Sequence, residues 1–293
     1  MQTNKNQIAK QLKAVQAVMA DCLRNTDISR FFPPKNNIMA SGKMLRAQLT
    51  LFLGSASGID EATCIHAAGA VETIHGASLL HDDVIDGGVL RRGAPTFWKK
   101  HGTNGAILLG DLLVLEGLNL LVKVNRTDLL QELINLSANV CRSEVEQELI
   151  LRGAAGTWQE CEQIARAKTG SLFAFAAVAA ASDAPGQVDA LREAGFILGT
   201  AYQLVDDILD VSDNEQVSGK TLGKDQERGK TTAITATRNA PEDPVEYVYI
   251  LLKTSSGQLA AWPALQAAWN DFLTVTMKPV LSKHLSAWSA LDL

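Results

Sequence analysis

The chain has 293 residues, 46% hydrophobic but only 5% aromatic, enough for one large domain or two ordinary ones with a sizeable core. Its formal net charge of −5 argues against a general nucleic-acid binder, which needs a basic face. Four cysteines, Cys22, Cys64, Cys141 and Cys161, form no CxxC pair and no regular spacing, so they are expected to be buried, reduced thiols of a cytoplasmic protein.

The first segment, "MQTNKNQIAKQLKAVQAVMADCLRN", sets apolar groups at helical spacing and lacks the continuous apolar core of a signal peptide. A loop, "FFPPKNNIMASGK", follows it. "CIHAAGAVETIHGASLLHDDVID" then has good helix formers and no proline, and it ends at a second loop, "GGVLRRGAPTFWKKHGTNG". Four more helical stretches come next: "AILLGDLLVLEGLNLLVKV", "LLQELINLSANVCRSEVEQELILRG", "WQECEQIARAKTGSLFAFAAVAAAS" and "QVDALREAGFILGTAYQLVDDILDVS". A third loop, "DNEQVSGKTLGKDQERGKTT", closes this part.

Several of these helices are apolar on more than one face, which marks the centre of a large bundle. Alternating strand patterns are nearly absent. The apolar runs "LFAFAAVAAA" and "AILLGDLLVLEGLNLLV" are too short, or are broken by Asp111 and Glu116, for the ~20 residues of a membrane span. No span is expected, and peripheral membrane contact stays open. The expectation is an all-α protein: one helical bundle over residues 1–293 around a central apolar cavity.

Within this pattern an acidic triplet occurs twice, as Asp82, Asp83 and Asp86 and again as Asp206, Asp207 and Asp210. At ~100° per residue, each triplet lies on one helix face. His75 points nearly the same way as Asp82, and Gln203 the same way as Asp206. A solvated acidic face is the competing reading. Against it, both triplets sit in apolar sequence with no lysine interleaved. Clustered carboxylates repel one another unless a cation neutralises them. Oxygen donors without cysteine or histidine suit Mg²⁺, held by one or two carboxylates plus substrate phosphates.

Basic residues come from all three loops: Lys43 and Arg46, then Arg91 and Arg92, then Lys220, Lys224 and Lys230. Lys168 lies in "AKTG" at mid-helix. Taken singly, each is more readily an ordinary surface charge. Together they ring the acidic centre with the forks and point charges that bind phosphate.

These residues carry a resemblance. From about Lys43 to Thr231 the chain resembles the trans-isoprenyl diphosphate synthases of the polyprenyl synthetase family, in particular their long-chain, octaprenyl-type members. "GKMLR" resembles the family's GKxxR element, "HGASLLHDDVIDGG" its first aspartate-rich motif and "RRG" the arginine pair after it. "AKTG" resembles its KT element, "YQLVDDILD" its second aspartate-rich motif and "GKTLGKDQERGKTT" its lysine loop. One DDxxD is a weak signal; six elements in order are a strong one. "GKTTAITA" lacks the proline that usually follows the lysine loop, and the tail after Asn239 aligns poorly.

The resemblance implies the isoprenoid synthase fold and specific roles. Asp82, Asp83 and Asp86 would bind Mg²⁺ with an allylic diphosphate, completed by Asp206, Asp207 and Asp210. Arg91, Lys168, Thr169, Gln203, Lys220 and Lys230 would hold the allylic diphosphate. Lys43, Arg46, His75 and Arg92 would hold isopentenyl diphosphate, although a plain core histidine is the alternative for His75. Gln147 matches a polar position opposite the first motif. Ala77 and Ser78, with Ile74 below, are small or non-aromatic where bulky aromatics stop short products, which implies a long product unless they merely allow close packing. A homodimer is also implied. Geranylgeranyl or farnesyl synthesis, a terpene cyclase and a non-catalytic synthase subunit are the alternatives. A cyclase usually has an NSE-type second motif, and a silent subunit would show eroded motifs.

Overall fold

The computed structural model describes residues 2–24, 27–31, 42–151, 153, 156–209, 236 and 238–281, the side chains of 2–5, 208 and 209 excepted. Helix α1 (Gln2–Asp21) and a short 3₁₀ turn (Asp27–Phe31) precede α2 (Leu45–Ser57) and α3 (Glu61–Ile85). Two-residue strands β1 (Leu90–Arg91) and β2 (Ala94–Pro95) follow, then α4 (Phe97–His101), α5 (Thr103–Lys123) and α6 (Thr127–Leu149). Helices α7 (Trp158–Ala165) and α8 (Ser171–Val178) are joined without a break by a π-helical turn, Arg166–Gly170. Then come α9 (Gln187–Leu209), α10 (Pro244–Gly257), α11 (Pro263–Phe272), a second π turn (Leu273–Met277) and α12 (Lys278–Leu281).

The helices start where the sequence supplies caps. Asp60 accepts the Thr63 amide at 2.8 Å at the head of α3. Thr157 and Glu160 exchange bonds in a capping box at α7. Asp243 caps α10, with Pro244 in the first turn.

Helix α8 is the centre of the bundle. Each of its eight residues, "SLFAFAAV", is buried, and it packs against α2, α3, α6 and α9. The α8–α9 approach is close because glycine lines it. A Cβ on Gly199 would lie 2.6 Å from the Gly170 Cα, so neither backbone could come as near with alanine there.

Strand is nearly absent among the described residues, as expected: the two-residue strands β1 and β2 form a tight hairpin whose turn residues, Arg92 and Gly93, both have positive φ, as a two-residue turn of this twist requires. Two sequence expectations need correction. Cys141 is exposed, whereas the other three free cysteines are buried. Among the described residues, α5 is long and apolar enough to cross a membrane by length and composition, despite Asp111 and Glu116. One face of α5 packs on α3, where Gly110 and Gly117 leave notches for His81 and Ile74, seven residues apart on the facing helix. Its other face shows Leu108, Leu115 and Val122, 68%, 64% and 53% exposed.

Candidate active site

The first acidic motif sits in the last turn of α3, with Asp86 at its C-cap. Carboxylates there lie at the negative end of the helix dipole, which favours a cation beside them. The chain then turns through Gly87 and Gly88. The Gly88 carbonyl accepts from Thr96 Oγ1 at 2.9 Å and from Trp98 Nε1 at 2.8 Å. This ties the hairpin back onto α3 and lays Arg91 over Asp83.

The aspartates of each motif are not equivalent. Asp83 is buried and gripped by Arg91, whose Nε donates to both carboxylate oxygens at 2.9 and 3.0 Å. In the second motif, Asp207 Oδ1 accepts from Gln203 Nε2 at 2.7 Å, and Gln203 Oε1 accepts from Thr169 Oγ1 at 2.5 Å. The buried Cys161 thiol donates to the other Asp207 oxygen at 3.9 Å. Thr169 and Gln203, expected as diphosphate ligands, therefore brace Asp207 here, and Arg91 braces Asp83.

Lys168 is set by the π turn, a feature that recurs at functional sites. Its Nζ lies 2.5 Å from Glu144 Oε1 of α6. Burial works against its charge, but Asp82, Glu144 and Asp86 outweigh burial and hold the ammonium charged above its usual range. Gln147, one turn past Glu144, is buried.

A second basic group lies at the start of α2. Arg46 is only 9% exposed, its guanidinium stacks 4.8 Å from the Phe173 ring centre, and its Nε has no hydrogen-bond partner. Arg92 reaches back against Gly42, where a Cβ would come within 3.0 Å of its Nη2. Burial, together with Arg46, Arg91 and Arg92, pushes His75 well below the usual imidazole range, so it is neutral. Lys43 is exposed at the entry to α2. The structure thus brings Arg46, His75 and Arg92 together, with Lys43 at the edge.

Two important residues escaped the sequence reading. Glu72, buried on α3, accepts the backbone amides of Arg46 and Ala47 at 3.1 and 3.0 Å. It caps α2 in place of Met44, which has φ 48° and offers no side-chain cap. Burial drives the Glu72 carboxyl upward, against the pull of Arg46 and those amides. The signal was a lone acid in the apolar run "AVETIHGASLL". Glu144 sits in the acid-rich "SEVEQEL" and gave no comparable signal.

Of the chain-length candidates, Ala77 is buried, and Ser78 Oγ donates to the His75 carbonyl at 2.9 Å. Ile74 fills the Gly117 notch of α5. Asp210, Lys220, Lys224 and Lys230 lie outside the described residues.

Among the described residues, no three acidic, histidine or cysteine side chains converge into a ready metal-ligand set. The oxygen donors still fit Mg²⁺, because that ion takes one or two carboxylates and fills its remaining positions with water and phosphate oxygens.

With this geometry in place, the comparisons fix the family. Residues 32–257 match the family model described as polyprenyl synthetase. The chain belongs to the polyprenyl synthetase family. An octaprenyl diphosphate synthase from Haemophilus influenzae is 34% identical to this chain over 198 residues, 67% of this chain and 60% of that protein. A short chain isoprenyl diphosphate synthase from Methanothermobacter thermautotrophicus is 31% identical over 233 residues, 76% of this chain and 72% of that protein. A polyprenyl synthase from Caulobacter crescentus, crystallised with calcium and isoprenyl diphosphate, superposes with a TM-score of 0.81 at 27% identity, over 92% of this chain and 94% of that one. The relatives' names span long and short products.

Proposed function

We propose that this polyprenyl synthetase condenses isopentenyl diphosphate with an allylic diphosphate and releases a polyprenyl diphosphate and inorganic diphosphate. The observation that carries this reading is that two sets of cations gather along α3: Lys168 feels Asp82 and Asp86 near its end, and Arg46 and Arg92 act on His75 two turns earlier.

Lys168 binds the allylic diphosphate, joined by Lys220 and Lys230 of the lysine loop. Asp82, Asp86 and Asp206 would hold Mg²⁺, which when bound stabilises the charge developing on the departing diphosphate. Asp83 is held by Arg91, and Asp207 by Gln203 and Thr169, next to those carboxylates in the chain. Arg46, Arg92 and Lys43 hold isopentenyl diphosphate, and neutral His75 serves as a hydrogen-bonding partner. Held this way, the double bond of isopentenyl diphosphate lies against the allylic carbon as its C–O bond breaks. A new C–C bond forms, and the proton lost from the adjacent carbon passes to the released diphosphate. Apolar side chains around the reacting carbons exclude water, which would otherwise capture the cation.

A long product, octaprenyl-like, follows from the small Ala77 and Ser78, with geranylgeranyl diphosphate the second reading. The working form is a homodimer, because the Leu108, Leu115 and Val122 stripe repeats every seven residues, the spacing of a helix–helix seam. The test is incubation with radiolabelled isopentenyl diphosphate, Mg²⁺ and a series of allylic primers. Label in lengthened prenyl diphosphates is expected. A cyclic hydrocarbon formed without isopentenyl diphosphate, or no product with any primer, would overturn the reading.

A further inference from the structure

We propose that Glu144 is an internal competitor for diphosphate: it holds Lys168 in the resting protein and gives it up when a diphosphate binds. This rests on the reading of Lys168 as a diphosphate ligand. The two side chains come from different walls of the site, Lys168 from the π turn and Glu144 from the middle of α6. Their charged atoms are 2.5 Å apart, the side chains are 27% and 20% exposed, and Glu144 Oε1 is sealed from solvent. Asp82 and Asp86 act on the same ammonium, so Lys168 stands between the metal-binding end of α3 and a carboxylate that takes no part in it.

The chemistry of the pair makes it an exchange. A lysine is a point charge on a flexible stem and can move from one anion to another. A bound diphosphate would repel the Glu144 carboxylate. When Lys168 turns to the diphosphate, a sheltered carboxylate loses its partner, which is costly. Binding is therefore weaker than Lys168 alone would give, and the waiting carboxylate favours release. An elongating synthase must clear one inorganic diphosphate from this place for every condensation, so easy release has a recurring use.

The experiment is calorimetric titration of the full chain with inorganic diphosphate and Mg²⁺, which reads binding without turnover. Glu144→Gln is expected to lower the Kd about fivefold, the scale of one partly exposed ion pair. In a Lys168→Met background, the same change is expected to alter Kd less than about twofold. Glu144→Ala, tested alongside, gives the same reading should the glutamine variant fail to fold. An unchanged or raised Kd in Glu144→Gln overturns the competition while leaving the proposed activity standing. Equal tightening with and without Lys168 also overturns it, because the effect would then be general electrostatics. If the wild-type protein binds no Mg²⁺–diphosphate, the proposed site itself falls and this inference falls with it.

Discussion

Arg91 holds Asp83 in a fork: Nε within 3.0 Å of both carboxylate oxygens and Nη2 2.7 Å from Oδ1, with the aspartate side chain 8% exposed. The pair locks the hairpin onto the end of α3. It also separates Asp83 from its neighbours in the motif. Removing one member of a buried pair strands the other charge, so Arg91→Ala is expected to lower stability by about 3 kcal/mol. Urea denaturation followed by circular dichroism measures this, and a loss under about 0.5 kcal/mol, the range of an ordinary surface substitution, would show that the fork has no structural role.

The same distinction separates Asp83 from the aspartates proposed to hold metal. Asp82→Ala and Asp206→Ala are expected to cut turnover by several orders of magnitude with the helical signal unchanged, because charge repulsion is relieved rather than created. Asp83→Asn is expected to lose stability first and activity less. EDTA should abolish turnover and Mg²⁺ restore it. Full activity in EDTA contradicts the metal assignment.

His75 gives the protein a distinct acid sensitivity. Its folded pKa lies well below the 6.5 of the free side chain. Below pH 6.5 the unfolded chain therefore binds a proton that the folded chain refuses, and stability rises with pH up to about 6.5 and then levels. One such group contributes at most about 1.4 kcal/mol per pH unit. The raised Glu72 carboxyl works in the opposite direction, losing stability as pH climbs through its folded pKa. Comparing wild type with His75→Gln isolates the histidine. The variant is expected to lose less stability between pH 6.5 and 5, read from urea midpoints, and parallel profiles would refute a neutral His75.

Ser78 and Ala77 test the product length. Ser78→Phe with Ala77→Phe should keep the first condensation and stop at shorter chains, resolved by chromatography of the dephosphorylated products. Ala77 is fully packed, so the double variant is also expected to be less stable than Ser78→Phe alone. A wild-type product no longer than farnesyl diphosphate would place the floor of the tail channel elsewhere.

The exposed stripe of α5 tests the homodimer. Leu108→Glu with Leu115→Glu places charges at the centre of the proposed seam and should give a monomer in sedimentation equilibrium. A wild-type protein that sediments as a monomer removes the basis for the dimer.

Sequence alone determined whatever depends on spacing within one helix. Period 3.6 put Asp82 and Asp86 on one face and marked helices apolar on more than one face, the stretch that carries α8 among them, as central to the bundle. The order of the six motifs pointed to the family. Only tertiary structure decided which charges meet across elements. Arg91 reaches Asp83 because Thr96 and Trp98 pin the hairpin, Glu72 caps a helix 25 residues upstream of it in the chain, and Lys168 meets Glu144 because a π turn aims it at α6. These pairings follow from how helices cross and how closely their backbones approach, as at Gly170 and Gly199. That geometry comes from the packing of many side chains at once, and no periodicity along a single segment encodes it.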